Sequence, residues 1–111
     1  IGAAEIAKMK PGVVIINTAR GAIIDEAAMA DALETGHIGA VGLDVYEREP
    51  EINEKLAKNE RALLVPHIGT HTYETLAKME EWAMENARRA IVGEVLLSPV
   101  PEHSELVNGN A

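Results

Sequence analysis

There is no cysteine anywhere in the chain. Its absence excludes a disulfide scaffold, a thiolate nucleophile and cysteine-ligated zinc, and is compatible with a reducing, cytoplasmic setting. Phenylalanine is also missing and aromatic residues are only 3% of the total, so the core must be aliphatic, built from Ile, Val, Leu, Ala and Met. Cations are the minority. Ten Lys and Arg against 18 Asp and Glu give a formal charge of −8, and with no basic patch interleaved with aromatics this argues against a nucleic-acid surface. No apolar run approaches the roughly 18 residues of a membrane span, and no signal peptide is visible. Internal repeats and low-complexity segments are lacking too.

What remains is ordinary globular composition, 47% hydrophobic and 25% charged over 111 residues, enough for one domain or part of one. The chain opens at Ile1-Gly2 without a Met and moves directly into a helical pattern, as a piece of a longer protein would. Its organising stretch is Val13 to Gly21, VVIINTARG. A short apolar run between turn residues, here Pro11-Gly12 and Gly21, is the pattern of a buried parallel strand.

The pattern predicts a helix over 1–9, a strand over 13–18, and a helix from Glu26 to about Thr35 capped by Asp25 and stopped by Gly36. A second strand follows over 40–45, interrupted by Gly42 and Asp44, then an acidic loop over 46–53 and a helical turn over 54–57. The third strand, 62–65, is closed by Pro66, which has no amide hydrogen to give a ladder. A long helix from about Thr72 to Val92 carries an apolar stripe of Leu76, Met79, Ala83, Ala87, Ala90 and Ile91. The tail from Ser98 reads as irregular, and His37 and His103 as surface residues. Strands alternating with helices imply a parallel sheet with right-handed crossovers, so all three strand ends lie on one edge.

Those ends carry the chemistry. Arg20 follows the first strand, Asp44 and then Glu49 the second, His67 the third. In open α/β sheets ligands bind beyond the carboxyl ends of the strands. A guanidinium that can clamp a carboxylate, an imidazole that can exchange a proton and a carboxylate that can orient it describe proton-coupled chemistry on a small oxo or hydroxy acid. Glu49 beside His67 would favour the imidazolium and improve it as a proton donor to a developing alkoxide. None of these groups can carry a hydride, so a cofactor is required. Taken singly, Arg20 reads as a surface ion-pair partner and Glu49 as one member of a solvated acidic loop with Glu47, Glu51 and Glu54. Asp44 is stronger, because an acid in a buried strand needs a partner or a ligand. His67 and His71 do not make a metal pair: Gly69 between them opposes a helix, and a third ligand is lacking.

Three segments, MKPGVVIINTARGAIIDEAAMADAL, GHIGAVGLDVYEREP and LLVPHIGTHTYET, closely resemble the cofactor-domain portion of the D-isomer-specific 2-hydroxyacid dehydrogenases. That group holds glyoxylate/hydroxypyruvate reductases and D-3-phosphoglycerate dehydrogenases. The resemblance implies an α/β fold, the second half of a three-layer Rossmann-like parallel sheet with a long C-terminal helix, spanning 1–97 and followed by a tail over 98–111. It further implies that Arg20 binds the substrate's carboxylate and carbonyl, that His67 is the acid/base and that Glu49 pairs with it. Thr18, Ala19, Arg20, Asp44, His67 and Gly69 would line the nicotinamide end of NAD or NADP, Asp44 contacting the carboxamide. The substrate would be a small 2-oxo or 2-hydroxy acid such as glyoxylate or hydroxypyruvate, and the parent a dimer or other homo-oligomer.

Several features depart from the family pattern. The phosphate-binding G-x-G-x-x-G turn is missing, as is the residue beyond it that separates NAD from NADP. The substrate domain should lie mostly upstream, so the isolated piece is expected to turn over little. His71 stands where many relatives have a small residue and Leu76 where many have Arg. Glu49 speaks against the related formate dehydrogenases, which carry Gln there. A different class, a nucleotide-sensing corepressor-like binding module of the same fold, keeps the same Arg, Glu and His.

Overall fold

The structure is a computed structural model in which residues 1–102 are described. His103 and the end of the tail, with Asn108-Gly109-Asn110, lie outside the described residues. The chain forms two compact units, one from Ile1 to Gly69 and a second beginning at Thr70.

The first unit is a sheet of three parallel strands in the order β1-β2-β3: β1 Val13–Asn17, β2 Ile38–Leu43 and β3 Ala62–Leu64. Helix α1 (Ala3–Ile6) precedes β1, α2 (Glu26–Thr35) links β1 to β2, and α3 (Glu54–Ala57) lies between β2 and β3. Asp25 caps α2 by accepting from the Ala28 N–H at 2.9 Å, and Gly36 ends it at φ 80°, a left-handed turn that favours glycine. The helices cover one face of the sheet, where Met29, Ala30 and Leu33 of α2, Leu56 of α3 and Ile6 of α1 pack with Ile38, Val41 and Leu43 of β2. Leu33, Ile38 and Leu56 are fully buried, each such burial stabilising by about 1.5–3 kcal/mol. On the opposite face Val14, Ile16 and Leu63 are 60%, 74% and 70% exposed. This unit therefore contributes two layers of the three that the sequence suggests.

Two elements differ from their expected bounds by more than one residue. Strand β2 starts and ends earlier, because pairing begins where the Gly12 N–H donates to the His37 carbonyl at 2.8 Å and Gly39 lies against the Gly12 backbone, where a Cβ would come within 2.6 Å of its oxygen. Asp44 thus stands just beyond the strand and not within it. Helix α1 is a single turn, since Lys8 and Met9 donate to Glu5 and Ile6 three residues back and tighten the chain before Pro11. His37 is half-buried, its Nε2 2.8 Å from the Ile6 carbonyl, and so is a structural residue.

The second unit contains α4, Tyr73–Val92, capped by the Thr72 hydroxyl at the Thr75 N–H and stopped by Gly93 at φ 73°. Trp82 Nε1–H donates to Ser98 Oγ at 2.9 Å, and Asn86 accepts from the Leu97 N–H at 2.8 Å, tying residues 97 and 98 back to the helix. No residue of α4 is buried, and Met79, Trp82 and Ile91 of its apolar side are exposed.

Candidate active site

The three turns that leave the carboxyl ends of the strands are each fixed by a buried side chain. At the end of β1, Asn17 uses both ends of its amide: Oδ1 accepts from the Ala19 N–H at 3.1 Å and Nδ2 donates to the Arg20 carbonyl at 2.9 Å. Thr18, Ala19 and Arg20 are thereby held as an exposed turn. Gly21 follows, so close to the next loop that a Cβ there would lie 2.0 Å from the carbonyl carbon and oxygen of Tyr46.

Beyond β2, Asp44 is only 6% exposed. Its carboxylate accepts from the Ile68 N–H at 2.7 Å and the Gly69 N–H at 2.8 Å, which meets the need of a buried acid for partners. Each oxygen keeps a second lone pair. Asp44 thus clamps the turn after β3, in which His67 sits at φ 53°. That left-handed conformation is uncommon for a residue with a side chain and persists only where surroundings enforce it. Gly69 admits no side chain, because a Cβ would fall 2.7 Å from Asp44 Oδ2.

Tyr46 joins the second and third turns. Its buried hydroxyl donates to the Val65 carbonyl at 2.8 Å, and burial pushes the phenol's pKa up. Its backbone N–H donates to Glu49 Oε1 at 3.0 Å, while Glu49 Oε2 lies 2.7 Å from His67 Nδ1. The hydrogen bond with His67 first, then that from Tyr46, holds the Glu49 carboxyl below the ordinary glutamate value, and the positive charges of His67 and Arg20 add to this. With Nδ1 engaged by Glu49, the imidazole is oriented, and Nε2 is the ring nitrogen through which it could exchange a proton.

The three strand ends of the sequence reading thus stand on one edge of the sheet, and Glu49 is joined directly to His67. Asp44 is tied to the backbone beside His67 rather than to the imidazole. Sequence reasoning missed Asn17, Gly21 and Tyr46. A signal existed for Asn17, the one polar residue closing an apolar strand. Among the described residues no group of three or more His, Cys, Asp or Glu could hold a metal ion, and no helix is long and apolar enough to cross a membrane.

The first unit is thus a parallel α/β sheet with an imidazole–carboxylate pair at its carboxyl edge. Residues 1–69, the whole of the first unit, match the family model of the D-isomer specific 2-hydroxyacid dehydrogenase NAD binding domain, and the chain belongs to that family. It is 54% identical over 102 residues to Glyoxylate reductase 1 of Saccharomyces cerevisiae, covering 92% of this chain and 29% of the relative. A D-3-phosphoglycerate dehydrogenase of Mycobacterium leprae is 39% identical, over 93% of this chain and 20% of its own length. Among solved structures, a glyoxylate reductase from Paecilomyes thermophila superposes with a TM-score of 0.87 at 58% identity, over 94% of this chain and 32% of that one. An NADPH-dependent glyoxylate/hydroxypyruvate reductase from Sinorhizobium meliloti, in complex with NADP and malonate, gives 0.84 at 33% identity, over 92% and 32%. The chain therefore spans about a third or less of each of these relatives.

Proposed function

We propose that this chain supplies the proton-transfer edge and the nicotinamide end of the cofactor site in an NAD(P)-dependent 2-hydroxyacid dehydrogenase that reduces a small 2-oxo acid, glyoxylate or hydroxypyruvate, or runs in reverse. The observation that carries this reading is the 2.7 Å link between Glu49 and His67 Nδ1 on a turn fixed by Asp44. Named relatives that are reductases and dehydrogenases favour the enzyme over a nucleotide-sensing module. In this reading residues 1–97 belong to one cofactor domain with 98–111 as its tail, the protein is cytoplasmic, and the parent is a homo-oligomer such as a dimer.

The reduced nicotinamide, when bound, supplies a hydride to C2 of the oxo acid. Thr18, Ala19, Asp44 and Gly69 would hold its nicotinamide end; the spare lone pairs of Asp44 suit a carboxamide NH₂, and the side-chain-free Gly69 leaves room. The glycine run that would cradle a pyrophosphate is not in this sequence. Arg20 binds the substrate's carboxylate and carbonyl with its fork of donors. As negative charge grows on the carbonyl oxygen, His67 Nε2 delivers a proton to it, and the Glu49 carboxylate stabilises the imidazolium that makes this possible. The products are the hydroxy acid, the oxidised nicotinamide and a neutral His67 that regains its proton from water.

A chimaera in which this chain replaces the segment it matches in the yeast Glyoxylate reductase 1 tests the proposal. It should oxidise NADH or NADPH with glyoxylate. His67→Gln should lower kcat by about 10²–10⁴-fold with little change in KM, and Arg20→Ala should chiefly raise KM. Unaltered kinetics in both variants would remove the site.

A further inference from the structure

Glu49 sits on a loop, residues 46–53, that has left the sheet, so its aim at His67 depends on what fixes that loop. One fixing point is Glu26, the first residue of α2, which is only 8% exposed although it is a carboxylate. Its Oε2 accepts from the Glu47 N–H and its Oε1 from the Asn53 N–H, both at 3.3 Å. In return the Glu26 N–H donates to Glu47 Oε2 at 3.4 Å. Each bond is long, but together they grip the loop on both sides of Glu49, and no buried side-chain polar atom among the described residues lacks a partner.

We propose that Glu26 is a positioning residue: by holding the amides of Glu47 and Asn53 it sets the loop so that the Glu49 carboxylate meets His67 Nδ1. Its consequence for catalysis rests on the dehydrogenase reading, whereas the loop geometry does not. The Glu26 carboxylate makes its hydrogen bonds to the backbone of that loop. The groups that hold the Glu49 carboxyl down are His67, the Tyr46 N–H and the Arg20 guanidinium. Its influence therefore runs through the loop. This separates position from charge by sign. Deleting a nearby negative charge lowers the pKa of a neighbouring carboxyl, whereas releasing Glu49 from its donors raises it.

The test is a pH titration of the Glu49 carboxyl carbon by NMR in the 111-residue chain, with circular dichroism as the check on folding. In the native chain the midpoint should lie below the ordinary value of 4.5. In Glu26→Ala it should rise toward 4.5, and in Glu26→Gln, which keeps one acceptor, it should rise less. A midpoint that stays put or falls in both variants overturns the proposal; so does the unfolding of both, which would make Glu26 purely structural. In the yeast chimaera Glu26→Gln should lower kcat by roughly ten- to a hundredfold, the scale of a misplaced catalytic group, with KM for glyoxylate nearly unchanged. A chimaera inactive with its native Glu26 would count against the dehydrogenase reading alone, since the titration decides the positioning role independently.

Discussion

Replacing Asp44 with asparagine leaves shape and volume almost unchanged and removes what the turn after β3 depends on. The carboxylate receives two backbone N–H donors, from Ile68 at 2.7 Å and Gly69 at 2.8 Å. An amide can accept only one of them and must turn an NH₂ toward the other, setting donor against donor. Hydrogen bonds to charged groups contribute about 1.5–3 kcal/mol each. Losing one should lower the unfolding free energy by about that amount, a fall in Tm of roughly 10 °C for a unit of this size. Ile68 and Gly69 are exposed, so their amides can turn to water if the turn lets go, and the loss should not exceed this range. Urea denaturation measures the global cost. Hydrogen exchange at the Ile68 and Gly69 amides measures the local one and should speed up about ten- to a hundredfold, since each 1.4 kcal/mol is tenfold. Gly69→Ala attacks the same bond from the other side, through a Cβ 2.7 Å from Asp44 Oδ2, so the double variant should cost less than the sum of the singles. Native stability and native amide protection in Asp44→Asn would refute the clamp.

The site was legible in the sequence to the extent that it is local. Arg20, Asp44 and His67 each follow an apolar run bounded by turn residues, and parallel topology then brings the run ends to one edge. Glu49 is different in kind. Glu47, Glu49, Glu51 and Glu54 look alike to composition and charge, and what selects one of them is the Tyr46 N–H and an imidazole 18 residues away. Only the resemblance to a known family could point to it. Asp44 showed the reverse problem. Its burial was foreseeable, but its partners are the amides of Ile68 and Gly69, on a turn that comes a whole strand later, and amides leave no trace in side-chain pattern. Glu26 was invisible for the same reason, since an acid in a helix's first turn is ordinarily explained by the helix dipole. The apolar stripe of α4 is legible as a periodicity, yet none of its residues is buried.

Two further predictions concern the frame around the site. Gly21→Ala should destabilise the chain by about 1–3 kcal/mol, the usual cost of overpacking. The added methyl meets the backbone of Tyr46 and Glu47, which has no rotamer to escape into, and a thermal midpoint equal to that of the native chain would contradict the close approach. The other lies in α4, where Arg88 and Arg89 hydrogen-bond Glu85 and hold its carboxyl down to about 2. A group whose pKa falls on folding stabilises the folded form above its ordinary value, here 4.5, and ceases to do so as pH drops through the folded value. Native chain and Glu85→Gln should therefore differ in α4 helicity by a constant amount above pH 4.5, and the difference should vanish as pH approaches about 2. Because these charges are partly exposed, added salt should narrow the difference at neutral pH. A gap that persists undiminished at the acid end would mean that the helix draws nothing from the ionised Glu85.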